Sequence, residues 1–148
     1  MKIGITGASG HIGANLIRRL LQEDYQVRVL QYHDHKALKG LDLEIFRGAL
    51  EDPDSLYAFC DGLDTIVHLA AKIAIGNNSF KRIYRINVEG TKNLALAAGK
   101  AYVRRFIHCS SIHARAHEPL DQVMDESRPL SLDSKMPYER TKAMAEEW

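Results

Sequence analysis

The chain has 148 residues, 45% of them hydrophobic and 26% charged, which is typical of one globular domain and excludes a disordered or fibrous protein. Because 20 basic residues face 19 acidic ones, the formal net charge of +1 predicts no partnership with nucleic acid or an anionic membrane. Cys60 and Cys109 form no CxxC motif, and no apolar stretch approaches the ~20 residues of a membrane span, so we expect a cytoplasmic protein.

The predicted strands are short β-branched runs, most of them apolar on consecutive residues, a pattern that indicates burial on both faces of a sheet. They cover residues 2–6, 26–30, 43–46, 65–69 and 105–109. Between them, apolar residues spaced by about 3.6 predict amphipathic helices over 12–21, 53–60 and roughly 80–98. Strands that alternate with helices require right-handed crossovers, so we expect an α/β fold with a doubly wound parallel sheet.

A glycine-rich turn joins the first strand to the first helix, and its glycines Gly7, Gly10 and Gly13 are three residues apart. Glycines at such a turn let the backbone bend tightly, keep Cβ atoms out of the path of a pyrophosphate and direct helix N–H groups at the anion. The position of the turn therefore predicts a dinucleotide-phosphate site. The alternative interpretation is a plain turn with close packing of the helix on the strand.

The end of the second strand bears on the adenosine ribose of such a dinucleotide. An Asp or Glu there would bind a ribose 2′-hydroxyl and repel a 2′-phosphate. This chain has Gln31 at that position, followed by His33, His35 and Lys36, which could face a phosphate. We therefore expect NADP in preference to NAD. The alternative is that the basic side chains belong to a solvated loop.

Three side chains with acid–base and hydrogen-bonding chemistry follow the fifth strand. Ser111 comes just after that strand, where parallel sheets place ligand-binding groups, and a polar segment over 113–137 leads to Tyr138 and Lys142. At a spacing of four residues on one helix, the two side chains share a face, and the Lys142 ammonium would favour the phenolate form needed for proton transfer. A second Tyr-xxx-Lys copy begins at Tyr32 and is interpreted as loop.

These motifs occur in one order with two further segments, residues 64–71 and 87–91. The order resembles the N-terminal half of an extended short-chain dehydrogenase/reductase, the NAD(P)-dependent epimerase/dehydratase family. The resemblance implies a Rossmann-type NAD(P)-binding fold and hydride transfer between nicotinamide and a carbinol or carbonyl carbon of a small molecule, such as a nucleotide sugar or a ketone. It also implies that residues 1–148 form one incomplete domain that lacks a C-terminal substrate lobe and is poorly stable and inactive alone.

The resemblance also implies roles for single residues. The predicted catalytic residues are Ser111, which orients the reacting oxygen, Tyr138, the acid/base, and Lys142, which holds the nicotinamide ribose and tunes Tyr138. The predicted cofactor-binding residues contact the pyrophosphate, the adenosine side or the ribose: Gly7, Gly10, His11, Ile12, Gly13, Gln31, Leu50, Leu69, Ala70, Ala71, Asn87, Tyr138 and Lys142. Two positions depart from the family pattern, because Gln31 replaces the usual acid and Ala49 replaces an Asp near the adenine.

Other interpretations stay open at this point. The same fold could be a non-catalytic module that senses a dinucleotide or binds a protein. In this family the long helix often joins a dimer contact, so we expect a possible homodimer, and Leu94, Leu96 and Ala97 could serve either the core or a second copy. His113 and His117 are four residues apart but fall in a loop-like segment, so no metal site is predicted.

Overall fold

The computed structural model of the chain describes residues 1–33, 36–73 and 79–148. These residues form a five-stranded parallel sheet in the order β3-β2-β1-β4-β5. The strands are β1 Lys2–Thr6, β2 Gln26–Gln31, β3 Glu44–Arg47, β4 Thr65–His68 and β5 Arg105–His108. The helices are α1 His11–Gln22, α2 Pro53–Cys60, α3 Phe80–Tyr84, α4 Gly90–Lys100 and α5 Pro137–Glu147. The strand order reverses between β1 and β4, which is the position where open α/β sheets bind ligands beyond the strand ends.

The first of two compact units comprises Met1–Ala71 and Asn93–Cys109 and contains the whole sheet. Because strand side chains alternate between faces, the consecutive apolar residues fill a core on each side. The core cluster beneath α2 and α4 consists of Leu56, Phe59, Cys60, Leu63, Ile66, Leu94, Ala97 and Ala98. The cluster beneath α1 consists of Ile3, Ile5, Ala8, Ile17, Val27, Val29 and Leu38. The predicted burial on both faces is confirmed for β1, β2 and β4, whereas the residues of the edge strands β3 and β5 are exposed or half-buried.

The second compact unit comprises Lys72–Lys92 and Ser110–Trp148. Its helix α5 packs on α3 and on a π-helical turn at Arg85–Glu89. A 3-10 turn at Ile112–Ala114 also packs on α5. An isolated antiparallel bridge pairs Arg115 with Leu130, so the residues between them form a loop whose two ends are joined.

The predicted elements agree with the structure, apart from small shifts at their ends and one larger difference. The helix predicted over 80–98 is divided into α3, the π-helical turn and α4, which ends at Lys100. On α4, Leu94 and Ala97 are buried in the core, whereas Leu96 is exposed. Within the described residues, no helix has the length and apolar character needed to cross a membrane.

Candidate functional site

The glycine turn is packed so tightly that side chains would not fit at two of its positions. Gly7 has a φ of +71°, and a Cβ there would lie 2.6 Å from the backbone nitrogen of Ala70. A Cβ on Gly13 would lie 2.4 Å from the carbonyl oxygen of Gly7 and 2.9 Å from the Cα of Ala8. The turn, α1 and the chain after β4 are therefore in direct backbone contact, as close packing of the helix on the strand requires.

The N-terminus of α1 offers N–H groups suited to an anion. Gly10 is the N-cap residue, and its own N–H donates to the carbonyl oxygen of Gly7 at 3.0 Å. In the described first turn of α1, residues 11–14, no carboxylate offsets the positive end of the helix dipole. His11 and Ile12 are exposed at this end. A phosphate group is the kind of ligand that this helix end can bind.

A buried polar pair connects the carboxyl ends of β1 and β4 beside the glycine turn. Thr6 Oγ1 and His68 Nδ1 share a hydrogen bond of 2.6 Å. The backbone N–H of Ala70 donates to the same Thr6 oxygen at 3.3 Å. This pair fixes the start of segment 69–71, which is predicted to lie on the adenosine side of the dinucleotide. Thr6 was not predicted, because a threonine at a strand end gives no indication of a partner 62 residues away.

At the carboxyl end of β2, Gln31 is buried and its amide serves the local structure. Its Nε2 donates to the carbonyl oxygen of His33 at 2.7 Å, which holds the chain as it leaves the strand. His33 and Lys36 are exposed, and His35 lies outside the described residues. Position 31 thus carries an amide in place of an acid, and the basic side chains of His33 and Lys36 that follow it are accessible.

The remaining residues predicted for the adenosine side differ in exposure. Leu50 is partly buried against the core beneath α2 and α4, and its carbonyl oxygen accepts a hydrogen bond from Asn93 Nδ2 at 3.1 Å. Leu69 and Ala70 are half-buried, and Ala71 is exposed. These three small or apolar residues follow β4 directly and leave an apolar surface next to the glycine turn in the same unit.

The predicted catalytic residues all belong to the second compact unit. Ser111 is the N-cap of the 3-10 turn, and its hydroxyl oxygen accepts a hydrogen bond from the N–H of His113 at 3.2 Å. Tyr138 and Lys142 lie on α5 at a spacing of four residues, and Lys142 is buried. The 3-10 turn packs on α5, and the His113 ring lies 6.4 Å from the Tyr138 ring between centroids. The turn that carries Ser111 and the helix that carries the other two residues are therefore neighbours.

Asn87, in the π-helical turn, is buried and uses its amide to position α5. Its Oδ1 accepts from the N–H of Lys72 at 2.7 Å, and its Nδ2 donates to the Lys72 carbonyl at 3.1 Å. The same Nδ2 donates to Thr141 Oγ1 at 3.1 Å. Thr141 in turn donates to the carbonyl of Pro137 at 2.8 Å. π-Helical turns are frequent at functional sites. This one places the Asn87 amide within hydrogen-bond distance of α5, the helix that carries Tyr138.

A polar network connects the chain after β5 to the C-terminal part of α5. The Ser110 hydroxyl donates to one carboxylate oxygen of Glu146, and the Arg115 guanidinium forms an ion pair with the other. Glu146 lies on α5, so this network and the Asn87 contacts hold the helix at two places. The partners lie 31 and 36 residues apart in the sequence, and no periodic pattern could have predicted them.

Arg128 organises the polar segment between Ser111 and α5. It is buried, and its guanidinium donates to main-chain carbonyl oxygens of four residues: Ala116, His117, Pro119 and Gln122. The carbonyl oxygen of Arg128 itself accepts from Arg115 at 3.1 Å. The polar segment over 113–137 therefore has a defined internal structure.

Two histidines of this loop meet a carboxylate on α5. One potential ligand atom from each of His113, His117 and Glu139 lies within 4.8 Å of the others. No metal site is predicted from the sequence, because the two histidines fall in a loop-like segment. Glu139 was missed, since it lies 22 residues beyond His117.

The chain is similar to proteins of known family. A family model described as the NAD dependent epimerase/dehydratase family matches residues 3–148. Sterol demethylase protein B of Methylococcus capsulatus is 35% identical over 144 residues, which are 96% of this chain and 44% of that protein. A 2-alkyl-3-oxoalkanoate reductase of Stenotrophomonas maltophilia is 30% identical over 149 residues, which are 99% of this chain and 45% of that protein.

Solved structures agree with this similarity. A short-chain dehydrogenase/reductase superfamily protein from Agrobacterium tumefaciens, crystallised with bound NAD, superimposes with a TM-score of 0.82 at 30% identity. The match covers 99% of this chain and 43% of that one, so the chain spans less than half the length of the relatives it matches. With the family model matched from residue 3 to residue 148 and the parallel sheet and glycine turn in place, the chain belongs to the NAD dependent epimerase/dehydratase family.

Proposed function

We propose that the protein containing this chain is an NAD(P)-dependent oxidoreductase that moves hydride between nicotinamide and a carbinol or carbonyl carbon of a small molecule. The observation that carries this proposal is the packing of the Ser111 turn on the helix that bears Tyr138 and Lys142. The oxoalkanoate reductase named above supports a ketone, or the corresponding secondary alcohol, as the first substrate class to test. Nucleotide sugars are the second class.

The proposed mechanism assigns one task to each side chain. A bound nicotinamide supplies the hydride acceptor or donor. The Ser111 hydroxyl oxygen already accepts a hydrogen bond from a backbone N–H, so its own proton can be donated to the substrate oxygen. During oxidation, the Tyr138 phenolate takes the substrate hydroxyl proton, and during reduction the Tyr138 phenol returns it. Lys142, four residues after Tyr138 on α5, is assigned to hold the nicotinamide ribose.

The glycine turn fits the phosphate part of the same cofactor. Gly7 and Gly13 allow close backbone packing that brings the N-terminus of α1 to the turn, and the uncompensated N–H groups of that helix end support a pyrophosphate there. We further propose a preference for NADP, supported by the buried amide of Gln31 in place of an acid and by exposed His33 and Lys36. Fluorescence titration should give a lower Kd for NADPH than for NADH, and Lys36→Gln should reduce this difference.

The decisive experiment replaces Tyr138 with phenylalanine in the full-length protein. Loss of the proton-transferring hydroxyl should lower kcat by about 10²–10⁴-fold, while the Kd for the dinucleotide changes little. Tyr102→Phe is the matched control, because Tyr102 is 90% exposed on the first compact unit and has no assigned role. Unchanged turnover in Tyr138→Phe would refute the mechanism.

A wild-type protein that binds the dinucleotide but turns over no ketone, alcohol or nucleotide sugar would favour the alternative of a sensing module. A homodimer through the long helix and a cytoplasmic location stay predictions.

A further inference from the structure

We propose that His113, His117 and Glu139 form a binding site for a divalent transition-metal ion, with Zn²⁺ as the reference ion. Glu139 Oε1 lies 3.7 Å from His113 Nδ1 and 3.3 Å from His117 Nε2. Metal–ligand bonds of about 2.0–2.2 Å in a tetrahedral zinc site place ligand atoms about 3.3–3.6 Å apart. The His117 separation therefore lies within the span that a shared zinc ion requires, and the His113 separation is about 0.1 Å longer.

Hydrogen bonds hold the Glu139 carboxylate and the main chain of both histidines. The second carboxylate oxygen of Glu139 accepts a hydrogen bond from Ser134 Oγ at 2.6 Å, which leaves Oε1 directed at the histidines. The carbonyl oxygen of His113 accepts from Ser131 Oγ at 2.9 Å. The carbonyl oxygen of His117 is one of the oxygens bound by Arg128. The bond to Glu139 fixes the orientation of a ligand group, which strengthens metal binding, and the other two bonds hold the main chain that carries the imidazoles.

The ligand types select the ion. Two imidazoles and one carboxylate suit Zn²⁺, Cu²⁺ or Ni²⁺, whereas Mg²⁺ and Ca²⁺ prefer sets of oxygen ligands. The side chains of both histidines are 48% exposed, so an ion can reach them from solvent. Three protein ligands leave a fourth position for water.

Occupation of the site would join the loop to the first turn of α5 beside Tyr138. The inference goes beyond the proposed oxidoreductase, because no step of hydride transfer requires this ion. A binding measurement can therefore fail or succeed independently of turnover.

The test measures Zn²⁺ binding to the full-length protein by isothermal titration calorimetry. His117→Gln and Glu139→Gln should each raise the Kd for Zn²⁺ by more than about 10-fold, and Ser134→Ala should raise it by about 10-fold. Glu118→Gln is the matched control, because Glu118 is an exposed carboxylate next to His117 but outside the cluster. This variant should bind Zn²⁺ with the Kd of the wild type. Mg²⁺ should not compete.

Two further readouts separate a specific site from surface adsorption. Zn²⁺ should raise the Tm of the wild type but not of His117→Gln, because a ligand that binds the folded state stabilises it. Co²⁺ should give tetrahedral visible bands that are lost in the same variant. Equal Zn²⁺ affinity in the wild type and both ligand variants, or no saturable binding by the wild type, would overturn the proposal. If Glu139→Gln does not fold, as judged from its Tm without metal, His113→Gln and His117→Gln carry the test at exposed positions.

Discussion

Replacement of Gly13 with alanine tests both the packing of the glycine turn and its role in binding. The added methyl group would lie 2.4 Å from the Gly7 carbonyl oxygen and 2.9 Å from the Ala8 Cα. Both neighbours are backbone atoms, so no side-chain rotation can relieve the overlap. The N-terminus of α1 must therefore move away from the turn, or the turn must open.

The magnitude follows from two opposing effects. Alanine stabilises a helix interior by about 0.8–1 kcal/mol relative to glycine, whereas overpacking costs about 1–3 kcal/mol. Gly99→Ala on α4 is the matched control, because no described atom lies within 4 Å of a Cβ at that position. Helix propensity largely cancels between the two variants. We expect the free energy of unfolding of Gly13→Ala to be lower than that of Gly99→Ala by about 1–3 kcal/mol.

Urea denaturation gives the two unfolding free energies, and titration with NADH and NADPH gives the dinucleotide Kd. A loss of about 1.4 kcal/mol in binding would raise the Kd of Gly13→Ala tenfold. Equal stability of the two alanine variants would refute the close approach of α1 to the turn. Reduced stability with an unchanged Kd would leave the packing correct but would refute the turn as the phosphate site.

Three further predictions concern other parts of the chain. Asn87→Ala should lower the free energy of unfolding by about 1–3 kcal/mol, because the part-buried main-chain N–H and carbonyl of Lys72 lose their partner. An unchanged free energy of unfolding in urea would show that these bonds are unimportant. Hydrogen bonds from Lys2 and Arg28 lower the pKa of Glu44 below its ordinary value of 4.5. The contribution of Glu44 to the stability of the protein is therefore complete above pH 4.5, and it is lost as the pH falls through the lower pKa of the folded state. The Tm difference between the wild type and Glu44→Gln should therefore shrink on acidification, and a constant difference would contradict this. Burial raises the pKa of the Cys60 thiol to about 12, so a thiol reagent at neutral pH should label it only after unfolding, as peptide mapping can check.

Much of the fold could be predicted because it depends on local patterns. Adjacent apolar residues such as Ile66 and Val67 identify a strand that packs on both faces, and Asp52 followed by Pro53 marks the start of α2, where the Asp52 side chain accepts from Ser55 N–H. The glycine spacing likewise depends on local backbone geometry, and the structure shows the close contacts that require Gly7 and Gly13.

The contacts that position the candidate site could not be predicted in the same way. The Asn87–Thr141 and Thr6–His68 hydrogen bonds join residues 54 and 62 positions apart, and hydrophobic periodicity carries no information about such pairs. The π-helical turn was missed because its residues continue the apolar spacing of a helix. The roles of Ser111, Tyr138 and Lys142 stay predictions, although the elements that carry them are adjacent.

The way in which Arg128 holds its loop has a consequence for sequence variation. Its guanidinium binds main-chain oxygens, which every amino acid supplies, so the loop can keep its course while most of its side chains change. Leu120 and Val123, within the span held by this arginine, point largely into solvent and are 80% and 85% exposed. The exposed side chains of this loop can therefore be substituted while the Arg128 guanidinium keeps the main chain in place.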